Sequence, residues 1–224
     1  MRGKSILVFI LIVTATFHVN CQVKLRFQPR LEQQSIKLND TTATLQIETL
    51  RFYISKIKFY TDSTLVWQEH NSYHLIDAAD TTSYSITTNA PSNLNYNRIE
   101  FTFGIDSLTH EAGVMGGDLD PTKGMYWSWQ SGYINFKIEG KSPQSKDRDN
   151  AFQYHIGGYK NGYSTAQTVN LSIDAKNEIL IHLDLDEFLE MAFSNEKSHI
   201  MSPGVQAKAL SKIIASKFTT DVKD

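Results

Sequence analysis

"LQIETLRFYISKIKFY", Leu45 to Tyr60, alternates apolar and polar residues but does not hold one phase. Leu45 and Ile47 fall on odd positions, Leu50, Phe52 and Ile54 on even ones, and Ile57 and Phe59 on odd ones again. Alternation at a period of two marks a strand with one buried face. One inserted residue reverses which face every later side chain takes, so each slip predicts a bulge or bend in a long strand or strand pair. The same alternation recurs along the chain. Val23, Leu25 and Phe27 open it, Ile99, Phe101 and Phe103 continue it, and Ile134, Phe136 and Ile138 follow. Phe152, Tyr154 and Ile156, then Val169, Leu171 and Ile173, then Ile179, Ile181, Leu183 and Leu185 complete the series. Many short strands separated by Asn-, Ser-, Thr-, Gly- and Asp-rich turns predict an all-β, Greek-key-like antiparallel β-sandwich, not alternating β/α units.

Helix is expected only near the end. Asp186 to Phe193 fits a short helix, and after Pro203-Gly204 the residues Ala209, Leu210, Ile213, Ile214 and Phe218 recur at helical spacing, predicting a C-terminal helix packed on the sandwich. Gly140 to Asn150 is polar and charged and reads as an exposed loop. No internal repeat or low-complexity linker is present.

The 224-residue chain is long enough for a sizeable core, and its net charge of -2 with no dense Lys/Arg cluster argues against a nucleic-acid partner. Arg2 and Lys4 precede an apolar run from Ile6 to Val13, the pattern of an export signal over residues 1–21. That run is too short to span a bilayer permanently, and no later stretch is long enough to serve as a transmembrane segment. The sole cysteine, Cys21, stands where such a signal ends, and two readings compete: cleavage there, or lipidation of Cys21 as an anchor. His18-Val19-Asn20 makes a poor lipidation box, which favours cleavage. A single cysteine excludes an internal disulfide, so stability must come from the core or from a bound ion.

Chemistry concentrates around "GMYWSWQSGY", Gly124 to Tyr133. On an uninterrupted strand Met125, Trp127, Trp129 and Tyr133 face one way and Ile134, Phe136 and Ile138 the other. Either Gly132 marks a bulge that buries both sets together, or the indoles occupy a separate surface. Upstream, Asp118 and Asp120 flank Leu119 in a Gly/Pro loop; two such carboxylates can converge on calcium, or can hydrogen-bond the turn backbone. His74 and His155 lie in strand-like surroundings, where imidazoles beside methionine suit copper(I); His70, His110 and His199 read as loop residues, and His182 as facing away from the core. No nucleophile elbow, zinc-protease helix, phosphate loop or dinucleotide fingerprint occurs, so no independent enzyme is expected.

The segments "GDLDPTKGMYWSWQSGYINFKIEG", "FQYHIGG", "LRFYISKIKF", "YHLIDAAD" and "MSPG" together resemble the MbnP-like family of exported copper-associated proteins of methanobactin operons and their relatives. The resemblance covers nearly the whole mature chain, residues 22–224, as one β-sandwich domain. It implies a location in the periplasm or at the outer cell surface. It further implies copper(I) held by histidine imidazoles together with a tryptophan oxidised to kynurenine by a separate di-haem, peroxidase-type partner. The matching motif positions are Met125, Trp127, Trp129, Gln130, Gly132 and Tyr133, with Trp127 or Trp129 as the oxidised residue and His74 and His155 as the imidazoles. An intact indole offers a metal no lone pair, since its N–H only donates; opening the ring creates an aniline nitrogen and a carbonyl. The chain departs from the family where the residue two after Trp127 is Trp129, and no histidine occurs between Thr122 and Gln153. A different class of function, an envelope recognition module that presents its tryptophans to a protein or glycan, fits the same aromatics. Oligomeric state is left open.

Overall fold

A computed structural model describes residues 22–128, 132–160 and 162–222. The expected leader with Cys21, and Trp129 and Gln130 of the aromatic motif, lie outside the described residues. The strands in chain order are β1 (Gln22–Leu31), β2 (Gln34–Ser35), β3 (Gln46–Thr61), β4 (Thr64–Gln68), β5 (Tyr73–Asp77), β6 (Ser85–Pro91) and β7 (Arg98–Phe103). There follow β8 (Tyr126–Trp127), β9 (Gly132–Lys141), β10 (Ala151–Gly157), β11 (Gln167–Ser172), β12 (Glu178–Asp184), β13 (His199–Ile200) and β14 (Phe218–Thr220). The α-helices are α1 (Ser107–Ala112), α2 (Asp186–Ser194) and α3 (Val205–Ser216).

These strands form a mostly-β, curled sandwich. A five-stranded sheet runs β14-β12-β1-β2 with β6 also on β1, and a nine-stranded sheet runs β11-β7-β3-β9-β10-β13 with β4, β5 and β8 added. Most ladders are antiparallel, as the alternation predicts. β1 pairs with β12 in parallel, and β10 with β13, so the sheets are mixed.

The phase slips of the opening stretch fall inside a single sixteen-residue strand. β3 shifts register against β9 between Ile47 and Thr49, and against β7 between Ser55 and Lys58. Each slip is thus a bulge, and Ile47, Leu50, Phe52, Ile54, Ile57 and Phe59 all reach the core between the sheets. Lys56, inside the second bulge, holds a φ of 54°.

β3 also organises its neighbours. Ile54 pairs with His74 of β5 on one edge and Phe103 of β7 on the other, while Phe52 pairs with Ile76 of β5 and Phe136 of β9. β7 and β9 therefore share one edge of β3 end to end, and the sheet forks where one hands over to the other. Asn135 fills the fork, fully buried: its Oδ1 accepts the Ile105 amide at 2.9 Å and its Nδ2 donates to Thr165 Oγ1 at 2.8 Å. The Ile105 amide freed by the fork is met by this side chain.

The C-terminal helix ends earlier than its spacing predicts. α3 buries Ala207, Leu210, Ser211 and Ile214, leaves Ala209 exposed, and stops at Ser216. Phe218 then belongs to β14 and inserts among Phe27, Phe52, Phe101 and Phe103, with ring centroids 5.2–6.4 Å away. Apolar spacing carries the expected helix two residues too far, because a core-seeking phenylalanine reads the same at the end of a helix and at the start of a strand.

Candidate functional site

The described part of the aromatic motif lies on a face of its own, apart from the core between the sheets, and is covered there. Met125, Trp127, Tyr133 and Ile134 are buried, yet they form a second hydrophobic cluster with Tyr53, Leu75, Ile105 and Leu119, separate from the core between the sheets. Tyr53 alternates with Phe52 and Ile54 on β3, so this cluster covers the outer face of the nine-stranded sheet. The phase reverses at Asn135: β9 shifts register against β10 where Ile156 faces Phe136 but Gly157 faces Ile134. That bulge, and not one at Gly132, sends Ile134 outward while Phe136 and Ile138 stay inside.

Trp127 is 5% exposed and lies directly over Gly157. A Cβ at Gly157 would sit 2.7 Å from the indole Cζ3 and 2.7 Å from the Tyr133 carbonyl, so only glycine lets the strand pass beneath the ring. Trp127 pairs with Gly132 across the β8–β9 ladder, as Tyr126 does with Tyr133. The Tyr133 hydroxyl donates to the Gly113 carbonyl and accepts from the Met115 amide, both at 3.1 Å, tying the loop after α1 to the cluster.

His110, which reads in the sequence as a loop residue, is buried in α1 at the edge of this cluster. Its Nδ1 accepts the Tyr133 amide at 3.0 Å, and its ring stacks on Tyr159 at 4.7 Å. An accepting Nδ1 places the ring proton on Nε2 in the neutral imidazole. Nε2 has no partner at hydrogen-bond distance among the described residues. Burial pushes its pKa down to about 4, so the ring is neutral at physiological pH. With its lone pair spent on the backbone, His110 is a structural acceptor and makes a poor metal ligand. The signal that could have found it is Asp106, whose side chain caps α1 by accepting the Thr109 amide.

His155 holds the same tautomer but engages the opposite nitrogen. Its Nε2 meets Glu139 Oε1 at 2.7 Å, and Lys137 Nζ lies 3.5 Å from the same oxygen. The hydrogen bond from His155, helped by the Lys137 charge, draws the Glu139 carboxyl down to about 2. A carboxylate can only accept, so Nε2 carries the proton and the lone pair of the neutral ring sits on Nδ1. That Nδ1 is buried and has no partner among the described residues. His155 and Gly157 are two apart on β10, which puts the imidazole on the same outer face as Trp127, one strand repeat of about 7 Å along.

His74 is not brought to this place. It pairs with Ile54 on β5, shares the inward phase of Ile76, and binds Glu69 through Nε2 at 2.9 Å. His74 and His155 thus lie on opposite faces of the sheet with β3 and β9 between their strands, roughly 14 Å apart at ordinary strand spacing. Asp118 and Asp120 hydrogen-bond protein groups: Asp118 accepts from Lys123 Nζ at 2.6 Å and the Leu75 amide at 2.9 Å, and Asp120 caps the turn by accepting the amide and hydroxyl of Thr122. Among the described residues no three His, Cys, Asp or Glu side chains gather as a metal cage. His182 does face away from the core, as its alternation predicts, and is covered there by Asp221 at 3.1 Å.

The family model for MbnP matches residues 20–204, which takes in every strand but β14 and stops at the start of α3. The chain belongs to the MbnP family. Among solved structures, MbnP from Methylosinus trichosporium matches with a TM-score of 0.53 at 15% identity, covering 82% of this chain and 81% of that one. At that identity the likeness concerns the fold alone. No curated protein matches.

Proposed function

We propose that this MbnP-family chain is an exported, non-enzymatic copper-handling protein of the periplasm or outer cell surface, with its site on the outer face beside Trp127. The observation that carries the reading is the buried, unpartnered Nδ1 of His155, with Glu139 fixing the opposite nitrogen as the proton bearer. A carboxylate behind the far nitrogen of a ligating histidine orients the ring and raises its basicity. Met125, fully buried in the Trp127 cluster, adds a thioether, a donor that suits copper(I). His155 and Met125 would hold the ion, and Trp127 or Trp129, once oxidised by a di-haem partner, would supply further donors. Copper bound there would give the protein a soft cation to store or hand on. Among the described residues no helix is long and apolar enough to cross a membrane. A tether through Cys21 would leave the sandwich outside the bilayer.

Purified from its own cell envelope, the protein is expected to carry copper and to show a mass gain on the peptide containing Trp127 and Trp129. His155→Leu should abolish copper(I) retention in a competition titration with a chromophoric chelator, whereas His74→Leu should leave it intact. Copper retained in full by the His155 variant, or absent from the native protein, would overturn the assignment. The burial of Trp127 weighs against a recognition platform, since that indole presents almost no surface to a partner.

A further inference from the structure

The outer face carries a second opening of about 660 Å³ between the start of β5 and α1 with its following loop. Its polar lining includes Lys56, Asn71, Tyr73, Asp106 and Thr109, and its apolar lining Leu108, Ala112, Met115 and Leu119. Lys56 reaches this cleft from the second bulge of β3 with a φ of 54°, a left-handed conformation that costs an L-residue free energy and favours glycine. Bulges re-aim side chains, and strain held by a non-glycine residue points to a use for that side chain.

The hydrogen-bond inventory gives the cleft a direction. Asp106 accepts from the Thr109 amide, from Lys56 Nζ at 3.2 Å, and from one of the Tyr73 and Thr109 hydroxyls, the other hydroxyl donating to its neighbour across 2.5 Å. Asp118 accepts from Lys123 and the Leu75 amide, one on each oxygen. Lys56 is half-exposed, with Asp106 as its one salt-bridge partner among the described residues. The cleft therefore presents an ammonium among carboxylates that are already hydrogen-bonded. Beside them Leu108 is 77% and Met115 43% exposed, uncommon for large apolar side chains on adjoining walls.

We propose that this cleft binds an aliphatic carboxylate, its headgroup on the Lys56 ammonium and its chain along Leu108, Met115 and Leu119. The volume lies within the range of small-molecule pockets, and a charged donor over an apolar wall is the arrangement such a ligand needs. The site is independent of copper.

The test is calorimetric titration of the full chain, stripped of metal, with decanoate, with decan-1-ol and with N-acetyl-leucyl-leucine. Decanoate should bind saturably and more tightly than the alcohol, which lacks the headgroup, and than the dipeptide, which lacks the linear chain. Lys56→Gly relieves the left-handed backbone, so its melting midpoint should equal or exceed that of the parent, while decanoate affinity should fall at least about tenfold with the loss of a charge-assisted hydrogen bond. Leu108→Asp, at an exposed position, should weaken decanoate as well. Absence of decanoate binding, equal affinity for the alcohol, preference for the dipeptide, or full affinity in the folded Lys56→Gly variant would each overturn the proposal. None of these outcomes bears on His155.

Discussion

Between the sheets, Phe27, Phe52, Phe101, Phe103 and Phe218 pack ring to ring in a core of hydrocarbon, whereas the outer-face cluster mixes Met125, Trp127 and Ile134 with Tyr53 and Tyr133 and leans on His110 and Asn135. The inner core needs only apolar side chains at the right period. The outer cluster needs each polar atom to find a partner, because an unpaired buried donor or acceptor is costly. Non-directional burial tolerates substitution by similar volume, while a hydrogen-bonded cluster fixes a single arrangement. The region that holds the candidate site is the one built by directional bonds.

Four measurements break or sharpen this contrast. Phe218→Ala should cost the most, about 3–5 kcal/mol in urea denaturation, because it empties the centre of the inner core. His110 tests the outer cluster through pH. An unfolded imidazole titrates near 6.5 and the folded one near 4, so between these values the unfolded chain takes up a proton that the native state resists. Stability should be complete above pH 6.5 and fall by about 3 kcal/mol as the pH drops to 4, and His110→Gln should flatten that slope. Asn135→Ala strands the Ile105 amide and should cost about 1–3 kcal/mol at neutral pH, with faster amide exchange at the fork as the accompanying sign. His74→Gln loses only a partly exposed pair with Glu69 and should cost less than about 1 kcal/mol, which makes it a clean control for His155.

Much of the inner core was legible in the chain. Period-two alternation located β1, β3, β7, β9, β10, β11 and β12, and even the slips of Leu45 to Phe59 mapped onto bulges, because burial on one face is written directly as side-chain polarity. The outer cluster was legible in its parts and not in its assembly. Trp127, Met125 and His155 stood out by type, but their grouping depends on the bulge at Asn135, and an asparagine in a strand-like run announces neither a bulge nor a fork. His110 was missed because α1 is a six-residue helix, too short for its apolar spacing to register. His74 looked equivalent to His155 for the converse reason. Both sit in strands, and only the register places one on each face.

The placement of β14 bears on how such a chain can mature. β1 is completed by β12, and Phe218, 191 residues further along the chain, seats itself beside Phe27 from the opening strand. Contacts between such distant segments make closure of the inner core wait until β14 has been synthesised. For a protein exported as proposed, premature locking on the wrong side of the membrane is thereby discouraged: the keystone enters the translocation pore well after the strands it locks.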